Sequence, residues 1–126
     1  MPEPPAPMQD KSVKTTELEP LPKGWEVVMY LKKVIRSLEI EAYKIFIFGS
    51  RARGESTVRS DYDFLILIKE KIDFEKKREV IRAVRRRMSE RLIPVDMFII
   101  STEEFEKYRT IVGNIVYSAS REGIEI

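Results

Sequence analysis

The chain has no cysteine and no histidine among its 126 residues, and these two absences exclude more chemistry than any motif. Without thiols there can be neither a disulfide nor a thiolate zinc site. Without imidazole, Ser-His-Asp and Cys-His catalysis, histidine zinc sites and histidine acid-base ribonuclease chemistry are excluded as well. What remains is chemistry run on carboxylates, hydroxyls, cations and metal ions.

An excess of one charge is missing too. Lys and Arg number 23 against 21 Asp and Glu, for a net charge of +2, so the overall field predicts no direct nucleic-acid partner. No apolar run approaches the ~20 residues needed to cross a bilayer, which removes membrane roles. With 43% hydrophobic and 35% charged residues, the composition is that of a soluble domain with one modest core. The first 24 residues, "MPEPPAPMQDKSVKTTELEPLPKG", hold six of the seven prolines and lack the basic and apolar regions of a secretory leader. They read as a disordered tail over 1–24, ahead of a single domain over 25–126 with the cytoplasm as its expected compartment.

Trp25, Val28, Leu31, Ile35 and Leu38 fall at three- and four-residue steps, the stripe of an amphipathic helix. "YKIFIF" (43–48) then reads as a buried strand that stops at Gly49. "DFLILI" (63–68) is apolar at every position after its aspartate, which predicts a strand covered on both faces and central in its sheet. A longer helix spans 74–92 on the stripe Ile81, Val84, Met88, Leu92, with the run Arg85 to Arg87 on its charged side. "IPVDMFII" (93–100) is a third strand, and Ser101 with Glu104 forms a capping-box pattern opening one final helix that carries Phe105, Tyr108, Val112 and Ile115. The expected class is α+β in the order α-β-α-β-α-β-α, with no internal repeat.

Between the first two strands, "GSRARGES" (49–56) matches a P-loop at every place but one. Glu55 stands where a lysine would meet the β- and γ-phosphates, and a glutamate there repels them. A different phosphate site survives: Gly49 lets the backbone approach a ligand, Ser50 adds a hydroxyl, and Arg51 and Arg53 add charge. The same residues also suit an ordinary strand-to-helix turn with solvated arginines.

Asp61 and Asp63 lie two apart at the entrance of a strand, so they project from one face roughly 6.6 Å apart. Asp96 sits inside the apolar "PVDMFI", where an ionised carboxylate requires a cation, an arginine or several donors. If the third strand neighbours the second, the three acids form one cluster that two Mg²⁺ would neutralise. Three carboxylates around two such ions, next to a phosphate-binding turn, are the layout for in-line attack on a nucleotide α-phosphate. The plain alternative is a capped turn, with Asp96 paired to a core arginine.

Gly49-Ser50, ten intervening residues, then Asp61-x-Asp63, each joined to an apolar strand, with "VDMF" supplying the third acid, resembles the DNA polymerase beta nucleotidyltransferase superfamily. At this length the chain is similar to the minimal nucleotidyltransferase (MNT) branch, over roughly residues 25–126. The resemblance implies a small mixed sheet with helices packed on it and Mg²⁺-ATP as donor, the nucleotidyl group passing to a hydroxyl. It implies that Gly49 and Ser50 hold the terminal phosphates and that Asp61, Asp63 and Asp96 hold the metals. It further implies a HEPN-type protein partner, since in such pairs the MNT protein is an antitoxin that adenylylates a tyrosine of the HEPN ribonuclease.

From another class comes a non-catalytic module that masks a partner by complex formation. A small-molecule modifier is a third reading, but such enzymes build their acceptor site with a further helical domain, for which this span has no room. A homo-oligomer is compatible with the sequence. The Arg85 to Arg87 run suits a solvated helix face or a dock for an acidic surface or RNA.

Overall fold

The computed structural model describes residues 21–57 and 60–126, so positions 1–20 of the tail expected at 1–24 lie outside the described residues. Its elements in chain order are α1 (Leu21–Ser37), β1 (Ala42–Phe48), α2 (Ser50–Arg53), β2 (Tyr62–Ile68), α3 (Phe74–Ser89), β3 (Val95–Ser101), α4 (Thr102–Tyr108), α5 (Ile115–Glu122) and β4 (Ile124–Glu125). The four strands form one mixed sheet in the order β3-β2-β1-β4. β2 pairs antiparallel with β1 and parallel with β3, and β4 adds a short antiparallel edge to β1. The expected α+β sheet with a central second strand is what forms.

β2 is central because its sequence can be buried on both sides: Phe64, Leu65, Ile66, Leu67 and Ile68 are all within 4% of full burial. Alternation sorts these side chains onto two faces. Phe64, Ile66 and Ile68 join Ile45, Val95, Met97 and Ile99 against α1 (Val27, Leu31, Val34, Ile35) and α3 (Val80, Val84, Met88). Leu65 and Leu67 join Phe46, Phe48, Phe98 and Ile100 against Phe105 and Tyr108 of α4 and Val116 and Ala119 of α5. Each fully buried side chain of this size contributes about 1.5–3 kcal/mol relative to an exposed one, so the two layers carry most of the stability. The parallel step from β2 to β3 needs a long crossover, and α3 supplies it.

The sequence stripes mislead in three places. α1 begins at Leu21, ahead of Trp25, with Pro22 in the first turn, where a missing donor costs little. α3 stops at Ser89, and Leu92, expected on its apolar stripe, has φ +60° and is 90% exposed. The single final helix is two helices. Gly113 takes φ +94° and Asn114 caps α5, its side chain accepting from the Val116 N–H, so Val112 and Ile115 lie exposed in and after the break. A glycine in the left-handed region followed by an Asx cap ends one helix and starts the next more effectively than an apolar stripe joins them. The short β4 has no counterpart in the sequence pattern, because two residues carry no periodicity.

Candidate active site

The register of the sheet brings the predicted residues together. Phe48, the last residue of β1, is opposite Asp63, and Asp63 is opposite Asp96 across the parallel pair. By alternation both aspartates point to the face that carries Leu65 and Phe98, at the strand ends beyond the apolar residues that α4 and α5 cover. Asp61 precedes β2 on the same side and is exposed. Burial is the main cause that raises the Asp63 carboxyl above its ordinary range; the charges of Asp96 and Asp61 raise it further, Arg53 opposes them, and Glu122 adds to the rise. The three acids therefore share one electrostatic neighbourhood.

Gly49 is pressed against this row. It is buried at φ +76° and ψ −156°, and a Cβ there would collide with Oδ2 of the Asp63 carboxylate. Both the conformation and the contact require glycine. Ser50 begins the single turn of α2, which Gly54 closes at φ +84° with its N–H donating to the Ser50 carbonyl.

The two arginines of the loop have separate roles. Arg51 turns back onto its own loop: Nε and Nη2 donate to the Ser60 carbonyl at 3.3 and 2.9 Å, Nη2 also donates to the Thr57 carbonyl, and the guanidinium lies 3.8 Å over the Tyr62 ring. It fixes the connection from the glycine turn to Asp61. Arg53 faces the acid side and pairs with Glu55 through Nε at 2.9 Å and with Glu122 through Nη1 at 3.1 Å. Those two partners, Glu55 before Glu122, raise its pKa further. Glu55, the residue that breaks the P-loop pattern, thus pairs with Arg53.

Two expectations change. Asp96, expected in a buried strand where it would need a partner, has a side chain 47% exposed, and its Oδ1 lies 3.4 Å from Nη2 of Arg85, itself 56% exposed. Among the described residues, moreover, no three acidic side chains converge closely enough to hold a metal ion. Asp96 pairs with Arg85 and Asp61 is exposed, while both charges still act on Asp63. The donor set itself fits a hard cation, since every available ligand is an oxygen and a cation would relieve the repulsion at Asp63. Both flanking side chains have the exposure to rotate toward it.

Sequence reasoning missed Glu122. The last residue of α5 reaches back 73 positions, and its Oε2 accepts from the Gly49 N–H at 3.0 Å. No spacing rule predicts such a contact; the only cue is its place in the acidic C-terminal "REGIEI".

A mixed sheet with a glycine turn packed on an aspartate row defines a nucleotidyltransferase-type domain. Residues 30–122 match the Polymerase beta, Nucleotidyltransferase family, and the chain belongs to it. It is 36% identical over 62 residues to MJ0141 of Methanocaldococcus jannaschii, which bears the name of a protein adenylyltransferase; the aligned part is 48% of this chain and 63% of that protein's length. Its fold is shared with a chain of a toxin-antitoxin crystallised with AMP-PNP, at TM-score 0.51 and 19% identity over 74% of this chain and 66% of that one. A chain of a mutant toxin-antitoxin MntA-HpeT gives TM-score 0.52 and 20% identity over 77% and 68%. Among the described residues, no helix is long and apolar enough to cross a membrane.

Proposed function

We propose that this protein is a cytoplasmic, Mg²⁺-dependent adenylyltransferase that moves AMP from ATP to a hydroxyl, a tyrosine, of a partner protein, and that the partner is a HEPN-type toxin it restrains. The observation that carries the reading is the row Gly49, Asp63, Asp96: a glycine so close to an aspartate that no side chain fits, with a second aspartate in register beside it. The relative that bears the name of a protein adenylyltransferase supports the class of reaction. The neighbours in toxin-antitoxin crystals are compatible with the setting.

In the reaction the acceptor oxygen bonds to the α-phosphorus, the bond from that phosphorus to the bridging oxygen breaks, and pyrophosphate leaves. Asp61, Asp63 and Asp96 would hold the metal ions, which supply charge to the triphosphate and acidify the acceptor hydroxyl. Gly49 and Ser50 offer donors to the terminal phosphates, and Arg53 offers charge. Arg51 keeps the intervening loop, and with it Asp61, in place. The released proton passes to a carboxylate of the row or to water.

The test is co-expression with a HEPN-type neighbour, followed by mass spectrometry of that neighbour. A tyrosine carrying AMP, lost in Asp63→Asn, is the expected result. A stable complex without added AMP would instead favour a binding module, which the lack of a converged group of three acids among the described residues also suits.

A further inference from the structure

Glu122 is not explained by its own helix. A carboxylate in the last turn of a helix faces the negative end of the backbone dipole and is disfavoured there. Asn114 caps the start of α5 and Val116 and Ala119 bury its apolar side, so the helix needs no anion at its end. The carboxylate nevertheless bridges two groups of the neighbouring loop, taking the Gly49 N–H at 3.0 Å and Arg53 Nη1 at 3.1 Å. A local rule broken without a local compensation points to a role at the site. The backbone behind Glu122 is fixed: Gly123 packs against the Ala119 carbonyl so closely that a Cβ would collide, and β4 then pairs with β1. Only the side chain is free to turn.

We infer that Glu122 is a resident competitor for the phosphates of the nucleotide, holding the Gly49 N–H and Arg53 until a more highly charged anion displaces it. This deepens the adenylyltransferase reading and rests on it. A carboxylate oxygen with one negative charge occupies the same kind of donor pair, a backbone N–H beside a guanidinium, that a phosphate oxygen takes. Triphosphate with its cation carries more charge and more acceptors, and so replaces it. Arg53 remains held by Glu55 during the exchange. Nucleotide binding is then coupled to release of the Glu122 side chain from the Gly49 turn, and the nucleotide-free site is kept closed to weaker anions.

Calorimetry with Mg²⁺ and either ATP, pyrophosphate or adenosine, on the full chain, tests this. Glu122→Gln and Glu122→Ala should bind ATP and pyrophosphate about tenfold more tightly than the wild type, the scale of one charge-assisted hydrogen bond, with adenosine unchanged. Glu55→Gln is the control, because it removes the same charge from the same arginine without touching Gly49; it should gain clearly less. Thermal melts identify any variant that fails to fold, and the other Glu122 variant then carries the comparison. If ATP binds the wild type and both Glu122 variants equally, or binds the variants more weakly, the inference is overturned while the adenylyltransferase reading stands. A gain in Glu55→Gln equal to that in Glu122→Gln also overturns it, since bulk charge would then suffice. ATP bound by none of them overturns the nucleotide site and the inference together.

Discussion

At the C-terminal end of β3, the Glu104 carboxylate accepts from the Ser101 N–H at 2.9 Å and from its hydroxyl at 3.1 Å, with Lys77 3.8 Å away. The Ser101 N–H is the main cause that lowers its pKa, with Lys77 next among the favourable ones. At the N-terminal end of the same pair of strands, Asp63 is raised by burial and by three neighbouring carboxylates. One end of the sheet satisfies its acid; the other sets its acid among like charges beside a glycine that admits no side chain. Stability accounts for the first arrangement and not for the second. Strand ends that oppose folding mark the place where a ligand is meant to supply what the fold withholds.

The sharpest way to break this contrast is Asp63→Asn. Transfer of AMP should fall at least about 100-fold, the cost of a misplaced reacting group, while the metal-free protein becomes more stable. The sign follows from linkage: a carboxyl with a raised folded pKa favours folding below its ordinary pKa, and that contribution is lost as pH rises through the raised value. The stability gap between mutant and wild type should therefore widen from about pH 4 toward neutrality. Urea melts in EDTA across that range measure it, and a mutant less stable than the wild type at pH 7 would show that Asp63 is structural.

Gly49→Ala should act on both stability and activity. The left-handed backbone and the collision with Asp63 should together cost about 1–3 kcal/mol, and the displaced aspartate should reduce transfer. Gly113→Ala should cost less, because the φ of Gly113 is also positive but a Cβ added there would meet no heavy atom within 4 Å. Equal losses would mean that conformation, and not the approach to Asp63, is what demands glycine at 49.

At the satisfied end, Ser101→Ala or Glu104→Gln should cost about 1 kcal/mol as the capping box is lost, with no effect on nucleotide binding. The Glu104 contribution is present above the ordinary carboxylate pKa and disappears as pH falls through its lowered folded value, the opposite trend to Asp63. Melts of Glu104→Gln should converge with the wild type in acid, and a gap that does not narrow as pH falls below the ordinary carboxylate range would refute the assignment.

The row itself could be read from the sequence, because two-residue alternation puts Asp61 and Asp63 on one face and an apolar run around Asp96 demands a neighbouring strand. Where the arginines go could not. Arg51 and Arg53 are equivalent as charges, and only the positions of the Ser60 and Thr57 carbonyls and of Glu122 separate an arginine that clamps its own loop from one paired with Glu122. The break before α5 is hidden because Val112 and Ile115 continue the stripe of α4 while Gly113 and Asn114 end it. Glu122 is hidden because its partner lies 73 residues away.

The smallest effect belongs to Asp96→Asn, which nevertheless bears on how far the unsatisfied end extends. Had Asp96 been half of a buried ion pair, its loss would strand an arginine and cost about 3–5 kcal/mol. Its pairing with Arg85 is instead 3.4 Å long and close to half exposed on both sides, a class of contact that contributes about 0–1 kcal/mol. The substitution also removes a charge that opposes ionisation of Asp63, which works in the other direction. The two contributions nearly cancel, so urea melts in EDTA should shift by less than about 1 kcal/mol, while the stabilisation given by Mg²⁺ and ATP falls. The double mutant Asp63→Asn with Asp96→Asn should then be less stable than the sum of the single effects, because each substitution alone already relieves the shared repulsion. Strict additivity would place Asp96 outside the neighbourhood of Asp63 and leave the row with two acids.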